Sequence, residues 1–424
     1  MRFRPFLPAA LLVLTSSIAA CSTPAAEDAD ASNDAITSRD ARILDFKFSA
    51  EVITDSGTEA RKAIVSQLMY AQGILTTSRN GNGRVGGVEL TNVTETVQGA
   101  KKRIKYTASL PVAFPKDLDA PTSYALPLPL DTTALDAFNT KYDGKCGNNE
   151  YGTENFWHDW NPKAENCTIA DADVSRASAA VAPHAKETKN KYPEYDQIWE
   201  DDRLDVVAIF GIITSNTPDD DGYRELNSFL DSSKALLTGA TVKENATSRS
   251  ILKDTTLTGK VTVGGRQRTV NVDLILVQEL QSVGADFDTR YDALSEKADM
   301  LMYNGHAGLG KNVNALARKG KVAKDKYQLV LLNGCQTFAY IDTTFNDRRI
   351  ATNTASRDPQ GTKYMDIVGN ALPGYANNLA SMSATLFGAV VKSDQPKHYN
   401  QLLESMPASH IVVVFGEDDN RFAP

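Results

Sequence analysis

Residues 301–310 read LMYNGHAGLG and residues 329–338 read LVLLNGCQTF. Each segment is an apolar run that ends in an Asn-Gly turn and is followed at once by a reactive side chain, His306 in the first and Cys335 in the second. A buried strand that stops at a small residue delivers the next side chain to the carboxyl edge of its sheet, where open α/β sheets bind ligands. The 29 residues from His306 to Cys335 leave room for one crossover helix and one strand. The two segments therefore predict neighbouring parallel strands with His306 and Cys335 side by side.

This arrangement resembles the caspase, gingipain and separase group of cysteine peptidases, in which a strand ending in His-Gly precedes a strand ending in the catalytic cysteine. The matching motifs are Tyr303-Asn-Gly-His-Ala-Gly308 and Leu332-Asn-Gly-Cys335, and the resemblance spans roughly residues 200–418. It implies a caspase-like α/β fold, with a mostly parallel sheet flanked by helices. It also implies a cysteine endopeptidase that acts on peptide or protein substrates, for which we expect no cofactor and no metal.

The resemblance implies a role for each residue of the motifs. Cys335 would attack the scissile carbonyl carbon and form an acyl-thioester, and His306 would protonate the leaving amine and then activate water. Backbone N–H groups of Ala307 or Gly308 and of Cys335 would hold the oxyanion, and Gly334 would allow a sharp turn and a close substrate backbone. The group usually has glycine where this chain has Ala307, and alanine restricts the backbone angles. The alternative function is therefore a non-catalytic lipoprotein that binds peptides or proteins on the same fold.

The first 21 residues have the pattern of a targeting segment, since two arginines and an apolar stretch precede Ile18-Ala-Ala-Cys21. This ending resembles the bacterial lipoprotein processing site, so we expect Cys21 to carry the lipid; an ordinary secretory signal peptide is the alternative. Residues 22–41 are rich in small and acidic residues and predict a flexible tether. We expect a lipid-anchored protein of the bacterial cell envelope, at the outer membrane, that faces the periplasm or the surface.

Four cysteines divide into one lipid carrier, one pair and one single residue. Cys146 and Cys167 bracket a polar stretch that contains Trp157 and Trp160, the kind of loop that a disulfide closes in an oxidising compartment. Cys335 is left as an unpaired thiol. A buried inert residue is the alternative to a nucleophile at this position.

The chain of 424 residues has a formal net charge of -8, which becomes -10 when Arg2 and Arg4 leave with the signal peptide. A negative protein of this kind is not expected to bind nucleic acid. No later stretch is apolar for long enough to span a bilayer. The expected contact with the membrane is therefore the N-terminal lipid anchor alone.

The folded part is expected to contain two domains and a connection between them. Residues 42–130 combine strand and helix patterns and predict a small α+β domain that suggests no chemistry. Residues 131–200 are expected to be a connecting region that contains the disulfide, with a helix at 175–191. In residues 201–424, alternating strand and helix patterns predict the caspase-like α/β domain, with about six strands and helices on both faces. Its Gly264-Gly265 pair predicts a hairpin.

Three smaller features have more than one interpretation. The acidic turn Asp219–Gly222 could hold calcium or cap a helix. Asp342 or Asp366 could line a specificity pocket that favours a basic substrate side chain. Residues 304–310 could cradle an anion before a helix, although their glycine spacing does not fit the dinucleotide fingerprint. The other four histidines show no metal-ligand spacing with one another.

Overall fold

The computed structural model of the protein describes residues 36–78, 81–185, 189–407 and 411–424. The predicted signal peptide with Cys21, residues 22–35 of the predicted tether, and His410 lie outside these ranges. Within them the chain is mixed α/β, and a large sheet flanked by helices packs against a smaller antiparallel sheet.

The strands, in chain order, are β1 Ile36–Ser38, β2 Ala41–Asp55, β3 Asn82–Gly83, β4 Glu89–Gln98, β5 Lys101–Pro115, β6 Ser123–Pro129, β7 Val174–Pro183, β8 Arg203–Gly211, β9 Thr238–Glu244, β10 Lys253–Val263, β11 Arg266–Val277, β12 Met300–Asn304, β13 Gln328–Asn333, β14 Met365–Asn370 and β15 Val412–Phe415. The α-helices are α1 Ala60–Thr77, α2 Leu135–Tyr142, α3 Tyr195–Ile198, α4 Asp221–Ala235, α5 Ala285–Ser295, α6 Lys311–Arg318, α7 Thr337–Tyr340, α8 Thr344–Asn353, α9 Leu379–Val391 and α10 Tyr399–Glu404.

In the described ranges, nine strands form the large sheet, in the order β1-β15-β14-β13-β12-β8-β11-β10-β9. The five central strands, from β14 to β11, run parallel to one another, and the pairings at both edges are antiparallel. Every residue of β12, β13 and β14 is buried. This position explains their near-continuous apolar sequences, because a parallel sheet is covered on both faces.

Alternate side chains of the central strands enter two different cores. Met302 and Leu331 lie in a core shared with α4 and α9, whereas Leu301 and Val330 lie in a core that also includes the smaller sheet. The two-residue period of a strand divides them between the faces. Since the second core is continuous across both sheets, the two sheets form one packed unit.

The large sheet is wider and more mixed than the six mostly parallel strands that the sequence predicts. The predicted hairpin is confirmed, with Val263 opposite Arg266, and β9 pairs beyond it. At the other edge β15 pairs antiparallel with β14, and β1 pairs with β15. Because β1 lies inside the predicted tether, that prediction is wrong for residues 36–38. Residues 36–38 are ordered by their backbone pairing with β15 and by the hydrogen bond of buried Thr37 to Glu417, neither of which can be predicted from composition.

The smaller sheet has the strand order β3-β5-β2-β7-β6, and β4 also pairs with β5. All of its strands except β7 come from residues 41–129, in line with the α+β pattern of that region. Helix α1 packs on this sheet through an apolar stripe of Ile64, Leu68 and Ala71, each of which is fully buried.

Strand β7 stands where the sequence predicts a helix at 175–191, so that prediction is wrong. The strand pairs with β2 and β6, and it carries part of the predicted connecting region into the smaller sheet. Its buried Ala177 and Ala179 are two residues apart, as in a strand with one buried face. Alanine has the highest intrinsic helix propensity, but such propensities are small, and strand pairing on both sides overrides them here.

Cys146 and Cys167 form the predicted disulfide. The loop between them buries Trp157 and Trp160, and the Trp160 ring packs against aromatic rings of α1 and α2. The Trp160 indole N–H donates to the Pro127 carbonyl at 3.2 Å, which fastens the loop to β6. The two tryptophans therefore serve as the core of the loop.

Buried carboxyl groups lie at the amino-terminal end of β14, at the edge of the sheet opposite to the Asn-Gly turns. Asp366 is fully buried and accepts hydrogen bonds from the Tyr327 and Tyr399 hydroxyls and from the Asn420 amide. Burial raises the pKa of Asp366 to about 7, although these hydrogen bonds favour the charged form. The pKa of Asp419, which is more exposed, is also raised to about 7, by desolvation and by the neighbouring carboxylates of Asp418, Asp366 and Asp358.

Replacing both Cys146 and Cys167 by serine is expected to lower the free energy of unfolding by about 3 kcal/mol, because the unfolded chain regains the entropy of an open loop. Chemical unfolding followed by tryptophan fluorescence measures the change. Reductant should destabilise the wild type by a similar amount and leave the double variant unaffected. Equal unfolding midpoints for wild type and variant under oxidising conditions would contradict the expectation.

The raised pKa of Asp366 means that, between about pH 4 and about pH 7, the folded chain binds more protons than the unfolded chain. The free energy of unfolding should therefore fall as pH rises through this window, by at most about 4 kcal/mol from this group. In Asp366→Asn the free energy of unfolding should decrease less over this pH range, because only other groups with raised pKa values, such as Asp419, still contribute. Urea unfolding at several pH values tests this, with exposed Asp231→Asn as the control. A variant as pH-dependent as the wild type would refute it.

Candidate active site

The adjacent parallel strands β12 and β13 end in register. Asn304 pairs with Asn333, and the Gly305 N–H donates to the Asn333 carbonyl at 3.0 Å. His306 and Cys335 each follow two residues after one of these register partners. The structure thus brings the two predicted residues to neighbouring turns at the carboxyl edge of the sheet.

Gly334 allows these two turns to touch. A Cβ atom on Gly334 would lie 2.5 Å from the Gly305 oxygen and 3.2 Å from the Ala307 nitrogen, and the first distance is too short for any side chain. On the other side, a Cβ atom on Gly374 would lie 3.5 Å from the Gly334 carbonyl carbon. The cysteine turn is therefore packed between the histidine turn and the loop that follows β14.

The imidazole of His306 is exposed, and its Nε2 lies 2.8 Å from the carbonyl oxygen of Ile213. Since a carbonyl oxygen only accepts hydrogen bonds, Nε2 carries the proton, and Nδ1 is the basic nitrogen of the neutral ring. The His306 carbonyl accepts hydrogen bonds from the Tyr303 hydroxyl at 2.6 Å and from the Asn312 amide at 2.8 Å. Both the ring and the backbone of His306 are held in place.

Cys335 is a free, partly buried thiol whose Sγ lies 3.6 Å from the Gly374 carbonyl oxygen. Burial raises the pKa of this thiol above its ordinary value. The group is therefore a neutral thiol at pH 7, and it needs a base to become a nucleophile. Gln336, which follows it, has a left-handed backbone with φ of 53°, so the chain turns sharply before α7.

After His306 the backbone has positive φ angles at three consecutive residues, but not at Ala307. Ala307 is buried and has a negative φ, whereas Gly308, Leu309 and Gly310 have φ values of 61°, 50° and 92°. Left-handed geometry is thus required after Ala307 and not at it, so an alanine fits here. The Ala307 carbonyl accepts the N–H groups of Gly310 at 3.1 Å and Asn312 at 3.2 Å, which fixes the peptide units of the turn.

The last residues of β12, β13 and β14 are all asparagines and form a buried ladder. Asn333 donates to the Asn304 side-chain oxygen at 2.9 Å, and Asn370 donates to the Asn333 side chain at 3.0 Å. Asn370 also donates to the Gly334 carbonyl at 3.1 Å, directly before Cys335. The sequence motifs identify the first two asparagines only as turn residues and assign no role in the site to Asn370. The available signal was the repeated ending of an apolar run in asparagine.

Two tyrosines interact electrostatically with Cys335, one from the short helix that follows it and one from the disulfide loop. Tyr340 of α7 is buried, and Tyr151 of the disulfide loop is 48% exposed. Burial raises the pKa of both hydroxyls, and the nearby Cys335 sulfur adds to the rise. The Tyr340 ring centroid lies 6.4 Å from that of Trp157, so the disulfide loop packs beside the cysteine turn. No motif in the sequence predicts this neighbourhood.

The acidic residues singled out by sequence lie elsewhere or have other roles. Asp366 is buried at the opposite edge of the sheet, so its suggested place in a specificity pocket is wrong. The Asp342 carboxylate accepts the Thr344 N–H at the start of α8. Asp220 is the N-cap of α4, so the acidic turn caps a helix.

Three other histidines make local contacts. His158 contacts Asp159 at 3.1 Å, His184 contacts Asp45 at 2.6 Å, and His398 caps α10. Among the residues that the structure describes, no group of three or more histidine, cysteine, aspartate or glutamate side chains is placed to hold a metal ion.

Asn333→Ala is expected to lower the free energy of unfolding by about 2 to 4 kcal/mol, because it removes three buried hydrogen bonds, to Asn304, to Asn370 and to the Leu379 carbonyl. Urea unfolding monitored by circular dichroism measures the loss. The control is Asn227→Ala on the exposed face of α4, which should cost less than about 0.5 kcal/mol. Comparable small losses for both variants would show that the ladder does not stabilise the fold.

Comparison of the sequence with models of known protein families and with curated proteins gives no match to either. In the described part of the chain, no helix is both long enough and apolar enough to cross a membrane. Inferences about function therefore depend on the site itself.

Proposed function

We propose that this protein is a cysteine endopeptidase of caspase-like fold, with His306 and Cys335 as its catalytic dyad. The observation that carries the proposal is the placement of an imidazole and a free thiol on touching turns after two adjacent parallel strands. The substrate is a peptide or protein, and its peptide bond is hydrolysed through an acyl-thioester. Five central parallel strands covered on both faces support the caspase-like assignment.

The reaction begins with proton transfer from the Cys335 thiol to Nδ1 of His306. The thiolate attacks the scissile carbonyl carbon and gives a tetrahedral oxyanion, which accepts N–H groups of Ala307 or Gly308 and of Cys335. The imidazolium protonates the leaving amine as the C–N bond breaks, and an acyl-thioester remains on Sγ. His306 then removes a proton from water, which attacks the thioester. The carboxylate product leaves, and the thiol is restored.

The Ile213 carbonyl orients the imidazole for these steps. By accepting the Nε2 proton at 2.8 Å, it directs the basic Nδ1 away from itself. Ala307 does not oppose this mechanism, since its backbone has an ordinary conformation.

In the cell, we place this enzyme in the bacterial envelope, anchored to the outer membrane through a lipid on Cys21. The lipoprotein-like ending of the first 21 residues supports the anchor. The Cys146–Cys167 disulfide agrees with an oxidising compartment.

The second candidate is a peptide- or protein-binding lipoprotein without hydrolytic activity. The specific observation in its favour is the Cys335 thiol, whose pKa is raised by burial and whose sulfur contacts the Gly374 carbonyl. Such a thiol is a weak nucleophile until a base acts on it. The same site could then bind a chain without cleaving it.

Cys335→Ala and His306→Ala, each in a Cys21→Ser background that removes the expected lipid site, should lower cleavage of a peptide library by about 1,000-fold or more. Product formation is followed by mass spectrometry. Without reductant, iodoacetamide should label the native Cys21→Ser parent at Cys335 alone, because Cys146 and Cys167 are bonded to each other. The control is exposed Ser228→Ala, which should cleave like the wild type. Peptide binding without cleavage in the wild type would favour the second candidate, and cleavage unaffected by Cys335→Ala would exclude the dyad.

A further inference from the structure

The segment that holds His306 is itself held by a carboxylate. Between β8 and α4 the chain runs through residues 212–220 and ends at Asp220, the N-cap of α4. The Asp220 side chain accepts the N–H of Gly222 at 2.7 Å, as N-cap residues commonly do. It is only 4% exposed, so these contacts are shielded from water.

The same carboxylate has three further donors on the other side of the loop. It accepts the backbone N–H groups of Ile213 at 2.9 Å, Thr214 at 2.7 Å and Ser215 at 2.9 Å. An ordinary cap needs only the donors of the helix that follows. Here one side chain fixes three consecutive peptide units that belong to no helix. The calcium interpretation of this turn does not fit, because four N–H groups point at the carboxylate where a cation would have to lie.

The first residue of this immobilised segment, Ile213, contacts the histidine turn. The Ile213 carbonyl accepts Nε2–H of His306 at 2.8 Å, and the Ile213 N–H is among those held by Asp220. At the end of β8, the Gly211 nitrogen would lie 3.2 Å from a Cβ atom on Gly305, so the two backbones pack closely. A Cβ atom on Gly222 would lie 2.5 Å from the Gly211 oxygen, which explains why the capping turn needs glycine.

We propose that Asp220 is a positioning residue for His306, acting through the Ile213 carbonyl that holds the imidazole. This inference rests on the proposed dyad, and it assigns to a helix-capping side chain the task of selecting the Nε2–H tautomer. Without the carboxylate, the N–H groups of residues 213–215 lose their common acceptor. The Ile213 carbonyl then moves, and Nδ1 is no longer fixed as the base. Misplacement of a catalytic group by about 1 Å can lower the rate about 100-fold.

Asp220→Ala and Asp220→Asn test the proposal in the full chain with Cys21→Ser, with the best-cleaved library peptide as substrate. For the alanine variant we expect kcat to fall by about 10- to 100-fold with KM changed less than about threefold. In Asp220→Asn, the side chain keeps one acceptor oxygen but directs an amide group at the other donors. The kcat of this variant should therefore lie between the kcat of Asp220→Ala and that of the wild type. The matched control is Asp221→Asn, because neighbouring Asp221 makes a surface ion pair with Arg224. Its kcat should stay within about twofold of the wild type.

Nitrogen-15 NMR of the histidine side chains gives a readout that needs no activity, with His306→Ala to assign the His306 signals. The wild type should show the Nε2–H tautomer, and Asp220→Ala should show a mixture of both tautomers. Wild-type kcat and an unchanged tautomer in the Asp220 variants would overturn the proposal.

If Asp220→Ala fails to fold, the Asp220→Asn variant decides by the same two readouts. If no peptide is cleaved even by the wild type, the dyad fails as a peptidase. A tautomer change on loss of Asp220 would then still establish the positioning role, whereas an unchanged tautomer would remove both.

Discussion

The contact between two backbone turns, after β12 and after β13, is the constraint on which the site depends. It exists because the residue before Cys335 has no side chain and because the strands end in register, so the histidine and cysteine turns pack without an intervening atom. The asparagine ladder then fixes the three strand ends relative to one another. Buried amide hydrogen bonds are directional, and this makes the edge of the sheet a rigid platform.

The two reactive side chains have opposite environments at this edge. His306 is exposed and bound to a carbonyl, whereas Cys335 is partly buried and contacts the loop that follows β14. Burial favours the neutral thiol, so Cys335 needs a base in order to ionise. The disulfide loop packs beside the cysteine turn through the rings of Trp157 and Tyr340.

The sequence predicts the centre of the fold well and its periphery poorly. Buried parallel strands such as β12 and β13 reveal themselves by continuous apolar runs, and the Gly264-Gly265 turn and the disulfide follow from local chemistry. Edge strand β1 and interior strand β7 do not, because their stability comes from partners far away in the chain. The same reason hides the role of Asn370 and the contacts of Asp220 beyond its helix cap. Each acts on the site through a backbone or a contact that only the folded chain creates, and the residues alone carry no periodic or motif signal for it.

The path of residues 36–55 has a consequence for the behaviour of the whole molecule. Strand β1 closes one edge of the large sheet, and after a connection of two residues β2 enters the middle of the smaller one. Together with the apolar core that both sheets share, this path makes the halves thermodynamically inseparable. A proteolytic fragment that begins near residue 200 would lose an edge strand and expose Leu301 and Val330 to water. The entire chain is therefore expected to unfold cooperatively, and its resistance to proteolysis depends on both sheets.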